Sequence, residues 1–121
     1  MSSDDAWLPE PEGQLSVDVL ETGSEVIIRS AVAGVRPEDL DITVTQDTVT
    51  IRGRREHACA TRVDAVAHVE ECYWGAFSRS IVLPCHIRPE EVDAVYQNGI
   101  LTITLQKVQM PSRIPVISLD E

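Results

Sequence analysis

The stretch that decides the fold is Gln97–Leu105, which has the sequence QNGILTITL. Asn-Gly between apolar runs is the strongest short signal of a β-hairpin, because its tight turn needs two residues that tolerate positive φ. After this turn, Leu101, Ile103 and Leu105 alternate with threonines, which is the period-two pattern of a half-buried strand. We therefore expect the surrounding chain to be built from β-strands.

The same alternation recurs upstream of the hairpin. Seven or eight short runs are separated by turn residues, and helical periodicity is weak throughout. This pattern predicts an all-β fold, an antiparallel β-sandwich. A longer run ends at Pro84, and a short one spans Val92–Tyr96. The alternating apolar positions upstream are Leu15, Val17, Val19, Val26, Ile28, Leu40, Ile42, Val44, Val49 and Ile51.

Two segments of the chain are alike, Arg36–Asp41 (RPEDLD) and Arg88–Asp93 (RPEEVD). Each places a proline before acidic residues, which favours a turn or a single helical turn ahead of a strand. Two related binding lobes would produce such a repeat. Similar corners of a sandwich also need similar turn chemistry, and this simpler interpretation is preferred.

Charge and composition exclude several classes of partner. Twenty Asp and Glu against ten Lys and Arg give a formal net charge of -10, which disfavours binding to nucleic acid or to a membrane surface. No apolar run is long enough for a membrane span, and the acidic start MSSDD is unlike a secretory signal. The three cysteines are odd in number and lack CxxC spacing, so no disulfide framework is expected. We expect a cytoplasmic location.

The chain divides into three predicted parts: an arm at 1–13, a folded domain at 14–107 and an extension at 108–121. Within the domain, the insertion between Arg55 and Cys72 is too long for a hairpin loop and is rich in Ala and Val. Loops of this length inside compact domains are usually functional. An apolar loop is expected to be buried against a partner subunit.

Neither catalysis nor a cofactor is predicted. The sequence contains no GxxxxGK[ST], GxSxG or HExxH motif. The pairs His57-x-Cys59 and Cys85-His86 could supply four ligands to a zinc ion. Nothing in the sequence makes the two pairs converge, so ordinary thiols and histidines are the preferred interpretation and no metal is predicted.

Near the C-terminus, a polar linker leads to the apolar tetrapeptide Ile114–Ile117, IPVI. A disordered tail is one interpretation. However, Ile114 and Val116 share one face of an extended segment, and Pro115 is confined to sheet edges because it lacks an N–H. We expect this segment to add to the edge of another sheet.

Several sequence motifs within residues 14–117 resemble those of the small heat shock proteins. Those that resemble the α-crystallin domain of that family are Gly34–Leu40 (GVRPEDL), Val49–Arg55 (VTIRGRR), Gly75–Pro84 (GAFSRSIVLP) and Asn98–Ile103 (NGILTI). Ile114–Val116 (IPV) is similar to the family's C-terminal I-x-I/V anchor. The resemblance implies an immunoglobulin-like sandwich that forms a homodimer and then higher oligomers.

The resemblance, in its bacterial and plant branch, also implies the surfaces of assembly. The long loop carries a strand exchanged between the two protomers, here Val66–Glu70, so that Val66, His68, Val69 and Glu70 lie in the dimer interface. The anchor Ile114, Pro115 and Val116 docks into an edge groove of a neighbouring dimer. The groove residues are Ile42, Val44, Val92, Ala94 and Tyr96.

The function implied is that of an ATP-independent holdase, which binds exposed apolar segments of unfolding proteins and prevents their aggregation. Family members usually carry a longer and more apolar N-terminal arm than the thirteen residues present here. An assembly or co-chaperone module of the same fold, with little holdase activity, is therefore the second interpretation.

Arg79 is the charged residue of greatest interest. It shares the alternation parity of Phe77 and Ile81, so a regular strand turns it inward or toward an interface. A buried guanidinium requires a carboxylate or carbonyl acceptors. A bulge that rotates it into solvent is the alternative. The family resemblance places an arginine here in the dimer interface, and replacement by glycine is expected to perturb the dimer.

Overall fold

The structure, a computed structural model, describes residues 13–56, 64–109 and 114–120. A 3₁₀ turn over Pro37–Asp39 is the single helical element of these ranges, and no helix in them is long and apolar enough to cross a membrane. The strands are β1 (Gly13–Gln14), β2 (Asp18–Glu21), β3 (Glu25–Ala31), β4 (Leu40–Val44), β5 (Thr48–Arg55), β6 (Gly75–Val82), β7 (Ile87–Gln97) and β8 (Ile100–Lys107).

The strands form two four-stranded sheets. The first sheet has the order β1-β6-β5-β4 and the second the order β2-β3-β8-β7. All pairings are antiparallel except that of β1 with β6, which is parallel and two residues long. The predicted β-sandwich is confirmed.

The core lies between the two sheets and follows the predicted alternation. Val26 and Ile28 face Leu105 and Ile103 across the β3–β8 ladder, and all four are fully buried. Burial of such aliphatic side chains is the main favourable term in folding. The buried core residues are Leu15, Val26, Ile28, Val32, Val35, Val49, Ile51, Phe77, Ile81, Leu83, Ile87, Leu101, Ile103 and Leu105.

The N-terminal run Leu15–Val19 is not the single strand that its alternation predicts. The chain crosses here from β1 in the first sheet to β2 in the second, and Leu15 fills the core at the crossing. The buried hydroxyl of Ser30 donates to the carbonyl oxygen of Ser16 at 2.7 Å, which holds the crossing in place. Val19 is 40% exposed although it pairs with buried Ile28, because β2 is the edge of its sheet.

The hairpin turn between β7 and β8 is confirmed. Asn98 and Gly99 have φ values of 54° and 76°, the two positive values that a type I′ turn requires. A Cβ atom on Gly99 would lie 3.0 Å from the Cβ of Ala33. The turn therefore packs closely against the connection that follows β3.

The two similar segments adopt different structures. Pro37–Asp39 forms the 3₁₀ turn before β4, as predicted. The second copy lies inside β7, where the ladder to β8 is irregular between Ile87 and Val92, so the prediction of a separate turn there is wrong. An irregular edge strand tolerates Pro89 because no regular ladder bond depends on its missing N–H.

Candidate functional site

The candidate site lies where the edge strands β4 and β7 border the gap between the sheets. Each is the outermost strand of its sheet as described. The N–H of Ile87, at the start of β7, donates to the carbonyl oxygen of Gln46 at 2.8 Å, just after the end of β4. This bond joins the two edges at one end of the gap, which we call the edge groove.

The residues predicted for the groove lie on these two strands. Ile42 and Val44 on β4, and Val92 and Tyr96 on β7, are half-buried and pack against the same core. The hydroxyl of Tyr96 donates to the carbonyl oxygen of Val32 at 2.9 Å and fixes its ring. The groove walls are therefore apolar and held in place.

Ala94 is the fifth predicted groove residue and marks an opening. It pairs with fully buried Ile103, and directly paired residues of an antiparallel ladder share a face. Ala94 therefore points inward, yet it is exposed. Its side chain is a single methyl group, so solvent reaches the inner side of β7 at this position.

The segment 64–74, between β5 and β6, contains no strand. Val66 and Val69 are 77% and 73% exposed, and His68 and Glu70 are also exposed. A single chain therefore leaves the predicted exchanged strand, Val66–Glu70, outside both sheets. Its pairing with a second chain stays a prediction.

Arg79 faces inward on β6, as its alternation predicts. The β5–β6 register is continuous from Thr48 to Arg55, so the alternative of a bulge in this ladder is wrong. The half-buried guanidinium donates from Nη1 to the carbonyl oxygen of Leu15 at 3.0 Å. It thereby ties β6 to the crossing between the sheets, while its place in a dimer interface stays a prediction.

Tyr73 holds the end of the long loop against β1. Its phenolic oxygen accepts from the N–H of Gly13 at 2.9 Å and donates to the carbonyl oxygen of Ala76 at 2.5 Å. Arg55 donates to the carbonyl oxygens of Ala33, at 2.8 Å, and of Tyr73, at 3.3 Å. These contacts connect the loop, the N-terminal strand and the β3–β4 connection in one network.

The C-terminal segment 114–120 has no regular secondary structure and is exposed throughout. It carries four aliphatic side chains within six residues. Ile114 is 82% exposed, Val116 95%, Ile117 78% and Leu119 90%. So dense an exposed apolar segment is typical of one that binds another surface.

Histidine, cysteine and acidic side chains are the residue types that could bind a metal ion here. No group of three or more His, Cys, Asp or Glu residues in the described ranges is placed to hold a metal ion. Cys85 is half-buried against the core and His86 is exposed, whereas His57 and Cys59 lie outside the described residues.

A surface ion pair supports the turn before β4. Arg36 donates from Nε to Asp39 Oδ2 at 3.0 Å, across the 3₁₀ turn. This hydrogen bond and the negative charge of the same carboxylate raise the pKa of Arg36 above its ordinary value. The pair closes the 3₁₀ turn at the entry into β4.

Sequence reasoning missed the contacts of Tyr73, because its phenol bonds a backbone group 60 residues away. No local pattern signals such a contact. It also did not single out Val95, which is 56% exposed on the outer face of β7. The signal was visible in the sequence, because alternation turns this apolar residue toward solvent.

These surfaces belong to a sandwich with an apolar groove between two of its edge strands, an exposed segment at 64–74 and an apolar tail. The Hsp20/alpha crystallin family model matches residues 18–118, which is most of the chain. The chain belongs to this family, and the predicted resemblance is confirmed.

Individual relatives agree with the family match. Small heat shock protein C2 of Rickettsia felis is 34% identical over 90 residues, which cover 74% of this chain and 58% of that protein. The peroxisomal 16.0 kDa heat shock protein of Oryza sativa subsp. japonica is 33% identical over 104 residues, covering 81% and 71%. The chain thus spans little more than half the length of the Rickettsia protein.

A solved structure shows the same fold. Heat shock protein 16.0 from Schizosaccharomyces pombe matches with a TM-score of 0.72 and 29% identity, covering 90% of this chain and 100% of that chain. The α-crystallin domain is therefore the architecture of this protein.

Proposed function

We propose that this chain is an ATP-independent holdase, which binds exposed apolar segments of unfolding proteins and prevents their aggregation. The observation that carries the proposal is the edge groove, whose apolar walls open to solvent at Ala94. Edge strands recognise extended peptides through main-chain hydrogen bonds, which are independent of sequence, while side-chain pockets select apolar residues. Such a site suits many clients.

The proposed mechanism needs no nucleotide, metal or enzymatic step. The sequence lacks a phosphate-binding loop, so binding and release follow the relative affinities of competing segments. A net charge of -10 keeps client-loaded assemblies apart and in solution. We expect the protein to act in the cytoplasm.

The tail is the proposed occupant of the groove in the absence of clients. We assign 14–107 to the folded domain and 108–121 to an extension that docks Ile114 and Val116 into the groove of another dimer. One docked tail is weak, because tethering and ordering offset much of the burial. Several tails together hold an oligomer by avidity, and each releases reversibly.

The dimer is proposed to form through the long loop. β2 is an edge strand, and its side chains Val19 and Leu20 are 40% and 39% exposed. Val66–Glu70 of a second chain supplies the strand and the apolar residues that would cover this edge. Arg79 stabilises the same region by fixing the crossing that leads into β2.

A light-scattering assay tests the holdase proposal. A thermolabile client is heated to its aggregation temperature without nucleotide, with and without this protein. We expect wild type to suppress scattering at near-stoichiometric ratios and Ala94→Glu to lose suppression, because a carboxylate in the groove mouth repels apolar segments. Val82→Glu, at a 79% exposed position on the outer face of β6, is the matched control and should retain suppression.

The second candidate function is assembly alone. The apolar tail favours it, because the groove then serves only the protein's own extension. In that case the wild type fails to suppress scattering while it still forms oligomers. Suppression that survives Ala94→Glu would place client binding outside the groove.

A further inference from the structure

The C-terminal tail is apolar on two faces. In an extended segment, alternate side chains point to opposite sides. Ile114 and Val116 therefore share one face, and Ile117 and Leu119 share the other. The proposed docking in the groove uses only the first face, so it leaves Ile117 and Leu119, which are 78% and 90% exposed, available for a second contact.

The outer face of β7 offers such a partner. Val95 points away from the core, between Asp93 and Gln97, and is 56% exposed. Its neighbour on the β8 side is Thr102, and its other side is the open edge of the sheet. A strand added to this edge would place a side chain directly beside Val95.

One parallel register gives Ile114, Val116 and Ile117 apolar neighbours on β7 at the same time. When the tail runs parallel to β7 with Ile114 beside Val92, Val116 lies beside Ala94 on the inner face and Ile117 beside Val95 on the outer face. Shifting this register by two residues in either direction places Ile117 beside Asp93 or Gln97. Antiparallel registers that keep Ile114 and Val116 inward lose at least one of the three contacts.

We propose that the tail binds β7 of another copy as a parallel strand, with Ile117 packed on Val95 outside the groove. This inference rests on the proposed docking of Ile114 and Val116, and adds a second contact to it. Apolar cross-strand pairs on one face of a sheet are stabilising. The outer contact also gives the tail an advantage over client segments with a single apolar face, so it raises the threshold for client capture.

Peptide binding to the full-length Ile114→Ala/Val116→Ala protein, whose own tail is disabled, tests this contact. The probe is a fluorescent peptide of residues 112–121. We expect Ile117→Thr in the peptide to weaken binding about twofold to fivefold, as expected for one cross-strand pair. Val95→Thr in the protein should have a similar effect, and the two changes together should cost no more than either alone. Val82→Thr is the matched control and should change nothing.

The outcomes separate this contact from the docking on which it rests. If Ile117→Thr or Val95→Thr leaves affinity unchanged while Ile114→Ala in the peptide weakens it, the outer contact is wrong and the groove docking stands. If Ile114→Ala also has no effect, both are wrong. A spin label at peptide position 120 should broaden the amide signals of Gln97 and not that of Ile87, and the reverse pattern would refute the parallel direction.

Discussion

Replacing Ile114 and Val116 by alanine is expected to reduce the proposed oligomers to dimers. Both side chains are more than 80% exposed in the isolated chain, so docking removes nearly all of their apolar surface from water. Their truncation loses roughly 2–4 kcal/mol per docked tail. That amounts to a loss of affinity of about thirtyfold or more at each contact. Because tails act together, the loss multiplies across the oligomer.

Native mass spectrometry measures this change directly. The matched control is Val82→Ala, which removes exposed apolar surface on the outer face of β6, away from both the groove and the tail. We expect this control to keep the mass of the wild type. An Ile114→Ala/Val116→Ala protein with unchanged mass would mean that the tail does not hold the assembly.

Replacing Arg79 by glycine is expected to weaken both the fold and the dimer. The change removes the donor to the Leu15 carbonyl oxygen, at a half-buried position where an unmade hydrogen bond costs about 1–3 kcal/mol. We expect the melting temperature to fall by at least about 4 °C. The dimer dissociation constant should rise, because the crossing into β2 loosens next to the proposed interface.

Arg52→Gly is the matched control for this change. Arg52 lies on the neighbouring strand β5, where its side chain is exposed. Both variants lose one positive charge and gain a glycine in a strand interior, so these costs are shared. Thermal unfolding and analytical ultracentrifugation compare the two. Equal melting temperatures and equal dissociation constants in the two variants would remove any special role for Arg79.

Local patterns predicted the fold wherever a strand lies inside its sheet. Ile51 and Ile103 are buried as their alternation requires, and Asn98-Gly99 forms the expected turn. The predictions failed at an edge strand, which has a neighbouring strand on one side only. Val19 alternates correctly but stays exposed, because burial also depends on a neighbouring strand that a single chain does not supply.

The candidate site was only partly predictable for the same reason. The predicted groove residues were named from the alternation of apolar residues along the strands and from the family resemblance. They lie on the edge strands β4 and β7. Alternation alone gives no indication that Ala94 opens the groove, because that depends on side-chain size beside the facing sheet. The Tyr73 network was beyond prediction, since it joins backbone groups far apart in the chain through one phenol.

The most direct test of the proposed groove places a photoreactive diazirine amino acid of leucine size at Ala94. Without stress, illumination should link this position to residues 114–119 of the tail. With a heated client and no nucleotide, the tail adduct should decline as a client adduct appears, because both occupy the same groove. The same amino acid at Val82 should capture neither. An Ala94 probe that links to neither tail nor client, or a Val82 probe that captures as much client, would contradict the proposed groove.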